Sequence, residues 1–260
     1  FVLADVLRTD RLRLTEFKPS SPETLALRSL VRARKELVNQ RVSVANQLRA
    51  HLLVAFPGGT ALFVRIDSQA NLSFLSRFTT QDHADWLSVK RLGNWIRSIG
   101  YAGRVSPETL YERLTGAPRG ITGAGAETYA ATTIALVTVL TTMREQLKFV
   151  TKQIEDRLAE HPDGHIFASL PRAGTVRAAR LLAEIGDSRG KFPTAASLAS
   201  LAGVTPSTRQ SGKVKVVAFR RGANLKLRDA VCDFAGDTRK SNPWAADMYE
   251  RSRARGHTHQ

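Results

Sequence analysis

The chain has 260 residues, 42% of them apolar, which suits one large or two modest domains with a true core. No run of 18 apolar residues occurs and the first residues lack the layout of a signal peptide, which argues against a membrane span and a secretory leader. A single cysteine, Cys232, excludes an internal disulfide framework and fits a reducing compartment, while a net charge of +16 predicts affinity for a polyanion.

The chain opens on Phe1 without a loop or cap. Val2, Leu3, Val6 and Leu7 fall at helical spacing, so the sequence reads as beginning inside a helix and as a fragment. Asp5 and Asp10 are candidate acids, but Arg8 and Arg11 beside them favour a solvated helix face.

Ser21-Pro22-Glu23 is a helix start: a capping hydroxyl, proline at the first position and an early carboxylate that complements the dipole. The predicted helix runs to about Ala55. Val31, Val38, Ala45 and Leu52 recur every seven residues, with Leu27, Leu30, Leu37, Val44 and Leu48 widening the stripe, as in a bundle or coiled coil. Arg28, Arg32, Arg34, Lys35, Arg41 and Arg49 make its other surfaces basic, either a solvated face or a track for a nucleic-acid backbone. Pro57-Gly58-Gly59 ends it.

Residues 60–126 read as several short helices with Phe63, Ile66, Leu72, Phe74, Leu75 and Phe78 in the core. A helix start at Thr80 accounts for Asp82, His83 and Asp85 better than a metal site does. Ser106-Pro107-Glu108-Thr109-Leu110 repeats the cap chemistry of Ser21. Residues 116–126, with four glycines, read as a flexible turn. A second long helix is predicted from Glu127 to about Glu160, with Ile134, Val137, Leu140, Leu147, Ile154 and Leu158 on its apolar side, as the antiparallel partner of the first. Proline and glycine between His161 and His165 argue against a zinc pair.

Ser169 to Gly186 places a tight turn at Ala173-Gly174 before an Ala- and Leu-rich helix. It is like the hairpin of a helix-hairpin-helix module, in which backbone N–H groups at a helix start hold a DNA phosphate. Arg172 stands where such hairpins usually carry glycine, which reduces backbone access and adds a cation. A short helix is expected over 192–202, an extended segment over 213–219 and a helix over 224–237. Asp229, Asp233 and Asp237 share one side of that last helix, either as Mg²⁺ ligands or as partners of nearby arginines.

Between Gly203 and Arg228 the chain has seven Lys or Arg residues and no Asp or Glu. Gln210-Ser211-Gly212-Lys213 lies in the middle. Glycine leaves room for a bulky partner beside the hydroxyl, and the cations attract a phosphate, which together suit a serine that attacks a phosphodiester. On spacing alone, the residues favour a basic loop whose Ser211 bonds its own turn, because Ser-Gly-Lys is a short pattern with many chance matches.

Taken together, the stretch Leu170-Pro-Arg-Ala-Gly174, Ala183-Glu-Ile-Gly-Asp187, Phe192, Leu201-Ala-Gly-Val-Thr-Pro206, Gln210-Ser-Gly-Lys213 and Arg221-Gly-Ala-Asn-x-x-Leu-Arg228 resembles the C-terminal domain of IS110-family transposases. Asn242-Pro-Trp244, Tyr249 and Ala254-Arg-Gly-His257 fit as well. Leu3-Ala-Asp-Val-Leu-Arg8, Arg41, Asn46-x-Leu-Arg49 and Phe56-Pro-Gly58 are similar to the region that joins the family's two catalytic domains. The resemblance covers nearly the whole chain.

It implies a mainly α protein: a long helical hairpin or coiled coil followed by a helical domain with a helix-hairpin-helix-like unit. Residues 1–16 would end a RuvC-like domain, 17–165 form the helical linker, and 166–260 form the C-terminal transposase domain. It also implies a bacterial recombinase acting in the cytoplasm at the nucleoid, on DNA, with a structured guide RNA, as a homo-oligomeric dimer or tetramer. The family's four acidic residues hold Mg²⁺. Their last two lie in an Asp-x-x-Asp-Ala pattern just before the stretch matching Val2 to Asp5, so Asp5 takes no metal role. The chain is expected to be clipped at both ends and inactive by itself. The nucleophile implied is Ser211. Candidate nucleic-acid contacts are Arg209, Gly212, Lys213, Arg220, Arg221, Arg228, Arg172 and Gly174. The rival reading is a non-catalytic nucleic-acid-binding module or a decayed transposase remnant.

Overall fold

The computed structural model describes residues 1–13 and 19–258. The domain boundary expected at residues 16 and 17 lies outside them. Helix α1 spans Val2–Asp10 and exposes nearly every side chain, with Arg8 paired to Asp5 at 2.7 Å. Helix α2 spans Pro22–Ala55, and the Ser21 hydroxyl caps it by accepting from the Thr24 N–H at 3.1 Å. Five short helices follow: α3 (Gly58–Ala61), α4 (Gln69–Arg77), α5 (Gln81–Asp85), α6 (Val89–Ser98) and α7 (Pro107–Thr115). Ser68, Thr80, Ser88 and Ser106 cap the last four of these through their side chains. Helix α8 spans Ala126–Glu160, α9 Gly164–Ala168, α10 Gly174–Ile185 and α11 Ala195–Leu201. Strands β1 (Ser207–Ser211) and β2 (Val214–Ala218) form one antiparallel pair, and α12 (Leu225–Thr238) and α13 (Pro243–Ala254) complete the order. The protein is mainly α, and this pair is the one sheet among the described residues.

Two compact units emerge, residues 34–150 and residues 1–33 with 151–260. The boundaries fall inside α2 and α8.

In the unit 34–150, Ala45, Leu48, Leu52 and Phe56 of α2 share one core with Val137 and Leu140 of α8 and with apolar residues of α4 and α6. Phe63, Ile66, Leu72, Phe74, Leu75 and Phe78 are all buried, as the sequence predicts. The Phe74 ring lies 5.0 Å from Phe78 and 5.4 Å, edge to face, from Trp95. Ile134 departs from the predicted apolar side of α8 and is exposed. At 100° per residue it sits about 120° around the helix from Leu140, beyond the buried stripe. Residues 116–126, expected as a flexible turn, are fastened instead. Ile121 N–H donates to the Ala55 carbonyl at 3.0 Å, and Gly123 N–H to Asp82 at 2.9 Å. A Cβ on Gly120 would lie 2.2 Å from the Ala55 oxygen, so glycine is required for that approach. Asp85 pairs with Arg119, and the His83 ring contacts the Thr79 hydroxyl. These side chains serve the fold, as the Thr80 cap suggests.

In the other unit, α10 buries Ala178, Ala179, Leu181, Leu182 and Ala183, and Leu227 and Ala230 of α12 are buried with them. Glu184, almost fully buried, is gripped by both arms of Arg32 at 2.8 and 2.7 Å. Arg28 donates to the Ala183 carbonyl at 2.6 Å. Those two arginines of the basic helix therefore hold α10 rather than track a nucleic-acid backbone. The His161 ring is buried between the Asp163 N–H, which it accepts through Nδ1 at 3.1 Å, and Thr24, 2.8 Å from Nε2. Burial works to raise the Asp187 carboxyl, but hydrogen bonds from Ser21 outweigh it and hold the group below the usual carboxylate range.

Candidate active site and nucleic-acid interface

The acid-free stretch folds as an excursion whose ends are clamped together. Asn224 N–H donates to the Leu201 carbonyl at 2.8 Å. Gly203 has a φ of +70°, and a Cβ there would meet the Ala223 methyl at 2.3 Å. That closure explains why glycine follows α11. Residues 204–223 project from it as the β1–β2 hairpin.

The register pairs Ser211 with Val214, so Gly212 and Lys213 form a two-residue turn. Gly212 has a φ of +55°. Positive φ at the first central position suits a tight hairpin turn and favours glycine there. Ser211 is thus the last paired residue at the exposed tip, with the bare Gly212 backbone beside it. Its hydroxyl has no hydrogen-bond partner among the described residues. The reading in which Ser211 only serves its own turn therefore has no contact behind it.

Alternation places Ser207, Arg209 and Ser211 on one face with Val214 and Val216, and Lys215 on the other. Ser207 is half-buried at the base, about 13 Å from Ser211 at the rise of an extended strand. Val214, Val216 and Val217 are all exposed. The Arg228 guanidinium covers the Phe219 ring at 4.2 Å, which ties the end of the hairpin to the first turns of α12. Arg221 is exposed, whereas Arg220 turns inward with its Nε buried.

The candidate cations fall into two groups. Arg209, Lys213, Arg220, Arg221 and Arg228 belong to the hairpin and its base. Arg172 and Gly174 sit elsewhere: Arg172 reaches Asp237 at 3.2 Å, nine residues and about 13 Å along α12 from Arg228. At this second place the turn before α10 has positive φ at both Arg172 (+59°) and Gly174 (+57°). The arginine adopts the backbone region that glycine favours.

Asp229, Asp233 and Asp237 settle on arginines rather than on a metal-binding geometry. Arg180 pairs with Asp229, Arg177 with Asp233 at 2.9 Å and with Asp237 at 3.1 Å, and Lys240 with Asp237 at 2.9 Å. Lys240 and Arg172, both hydrogen-bonded to it, hold the Asp237 carboxyl down at about 2. Arg177 and Arg180 were not among the residues singled out from the sequence. Their spacing of three on α10, opposite carboxylates spaced by four on α12, was the available signal. No group of three or more His, Cys, Asp or Glu side chains able to hold a metal occurs among the described residues.

The cation-rich serine hairpin lies between α11 and α12, and comparison with known families gives the class to which the chain belongs. Residues 164–250 match the model of the transposase IS116/IS110/IS902 family, and residues 1–57 match a DEDD transposase model of IS110 type. The chain belongs to the IS110 family of transposases. Among curated proteins it is 31% identical to one named as the mini-circle transposase for IS117 of Streptomyces coelicolor, over 99% of this chain. It is 30% identical to the 43.6 kDa insertion-element IS110 protein of the same organism, also over 99%. A 42 kDa protein of insertion element IS900 from Mycobacterium paratuberculosis is 31% identical over 41% of the chain. The chain spans 64% of the length of the two Streptomyces relatives.

Proposed function

We propose that this chain is the DNA-engaging part of an insertion-sequence transposase and that Ser211 is its nucleophile. The observation that supports this most is the hydroxyl at the tip of an acid-free hairpin, unpartnered and flanked by Gly212 and Lys213. In the step proposed, the Oγ–phosphorus bond forms as the ester bond to the leaving sugar oxygen breaks. The hydroxyl proton passes to solvent, a proton from solvent goes to the leaving sugar oxygen, and the ester energy is kept for rejoining. Arg209 and Lys213 would offset charge on the phosphate. Arg220, Arg221 and Arg228 would steer the strand at the hairpin base. The turn at Arg172 and Gly174 would hold a second phosphate in the manner of a helix-hairpin-helix unit.

The reading inherits from the family a guide RNA, assembly of two or four copies, and Mg²⁺ bound by a RuvC-like domain. The described residues of this chain supply no ligand set for the metal, so no step is routed through it. The long helices α2 and α8 would act as the linker between catalytic parts.

The test uses a form extended to the length of its relatives. Ser211→Ala should abolish the covalent serine–DNA adduct and strand cleavage, with folding and DNA binding retained. Ser207→Ala should cleave normally. Cleavage lost in the Ser207 variant and kept in the Ser211 variant would move the nucleophile to the hairpin base. Wild-type cleavage in both would end the serine mechanism and leave the cleavage to the metal site of the RuvC-like domain, with water as the attacking group.

A further inference from the structure

Three arginines from different segments of the unit 34–150 converge on one acid that sequence reading passes over. Arg41 of α2 brings its Nε to 3.3 Å from the Asp67 carboxylate. Arg65, in the loop before α4, reaches the same carboxylate at 3.3, 3.3 and 3.4 Å. Arg144 of α8 donates to the Asp67 backbone carbonyl at 2.9 Å. Among the described residues these three arginines have no other acidic partner, so one negative charge faces three positive ones.

The contacts are also loose. Charge-assisted pairs usually close to about 2.7–2.9 Å, as Arg32 does on Glu184 at 2.8 and 2.7 Å. Asp67 is instead shared at the edge of bonding distance. The Arg41 contact lies within ion-pair range but is not aligned as a hydrogen bond, and its Nε, like that of Arg144, is buried without an acceptor. A buried charged donor left unpaired is costly and calls for an explanation. Arg34 lies seven residues before Arg41 on the same helix face. Burial, and then the charge of Arg41, lower its guanidinium below the usual arginine range. At Arg41, Arg65 and Arg144 themselves, positive charge exceeds the single carboxylate of Asp67. The cluster opens to solvent through Arg65, whose side chain is 63% exposed.

We propose that Arg41, Arg65 and Arg144 form a binding site for a nucleic-acid phosphate, separate from the Ser211 hairpin. Forked guanidinium groups match the paired oxygens of a phosphodiester, and arginine is the preferred side chain for that geometry. A polyphosphate strand also profits from the +16 charge of the chain, which a small anion does not. Asp67 holds the arginines apart and in place until the phosphate takes over their donors. The site does not depend on serine chemistry, so its test stands whatever Ser211 does.

The experiment measures binding of a short single-stranded RNA, a DNA duplex of the same sequence and polyglutamate, across a salt series. Arg65→Ala should weaken nucleic-acid binding by about tenfold and lower the salt slope by about one. Arg104→Ala removes the same charge from an exposed site in the same unit and should change affinity by no more than about twofold. Asp67→Asn should bind nucleic acid more tightly than wild type, because the competing carboxylate is gone. A loss confined to RNA or to DNA names the source of the phosphate, and an equal loss assigns the shared phosphodiester; both support the site. Equal effects of Arg65→Ala and Arg104→Ala overturn it. So does a loss of polyglutamate binding as large as that of nucleic acid, which would make it a site for an acidic protein. If Asp67→Asn fails to fold, the Arg65 and Arg104 pair decides.

Discussion

Arg172 is the one non-glycine residue with positive φ among the described residues, at +59°. Replacing it in turn by glycine and by alanine separates its backbone from its charge. Both variants lose the guanidinium and its contact with Asp237, while the Arg172 carbonyl can still accept from Arg177, at 2.8 Å in the parent. The difference between them is therefore conformational. The left-handed region costs an L-residue about 1–2 kcal/mol, and the greater freedom of glycine in the unfolded chain returns about 0.4–1 kcal/mol of that. Arg172→Gly should be more stable than Arg172→Ala by about 0.5–1 kcal/mol, a melting difference of roughly 1–4 °C for a protein of this size. Urea denaturation with equal m-values gives the free energy directly. An alanine variant as stable as the glycine variant, or more so, would show that the turn is not left-handed in solution. The same pair reports on function. If backbone amides of this turn hold a phosphate, the glycine variant binds DNA more tightly than the alanine variant at identical charge. Equal affinity would remove the backbone contact from the proposed interface.

Three further outcomes follow from the same structure. Asp237 is held at about 2, below its unfolded value of about 3.9, so its contribution to stability is complete above about pH 4 and lost as the pH falls through 2. Asp237→Asn should flatten stability over that window, and an unchanged acid-denaturation profile would show that the arginine ladder does not operate. Phe74→Ala removes a fully buried ring from the Phe56, Phe78 and Trp95 cluster and should cost about 3–5 kcal/mol in urea titration, whereas a cost below about 1 kcal/mol would contradict the aromatic core. Affinity for DNA should fall about 10³-fold between 50 and 200 mM salt if roughly six phosphates are contacted, and near-constant affinity would show that the basic surface is not what binds.

Local chemistry made much of this protein legible in its sequence. The cap at Ser21 and the seven-residue apolar recurrence define α2 to its last turn, because both act within a few residues of chain. The same holds for the caps at Thr80 and Ser106, and for the extended segment after Ser211. The chain's kinship was legible too, since linked motifs from Leu170 to Arg228 are specific where any one of them is not. Ser211 could be singled out as a hydroxyl beside glycine among cations, but its place as the last paired residue of a projecting strand depends on the 211–214 register.

Pairing between distant segments was decided only in three dimensions. Charge in a sequence carries no address: Arg28 and Arg32 looked like a polyanion track until α10 was packed against them. For Asp229, Asp233 and Asp237 the sequence favoured nearby arginines over a metal but could not say which, until Arg172, Arg177 and Arg180 stood opposite. The glycines near Gly120 read as slack, yet they allow the backbone to close on Ala55. Residues 41, 65, 67 and 144 have no sequence relation at all. They meet because two long helices and a loop bury a common core, and the charge they leave uncompensated exists only once that core has formed.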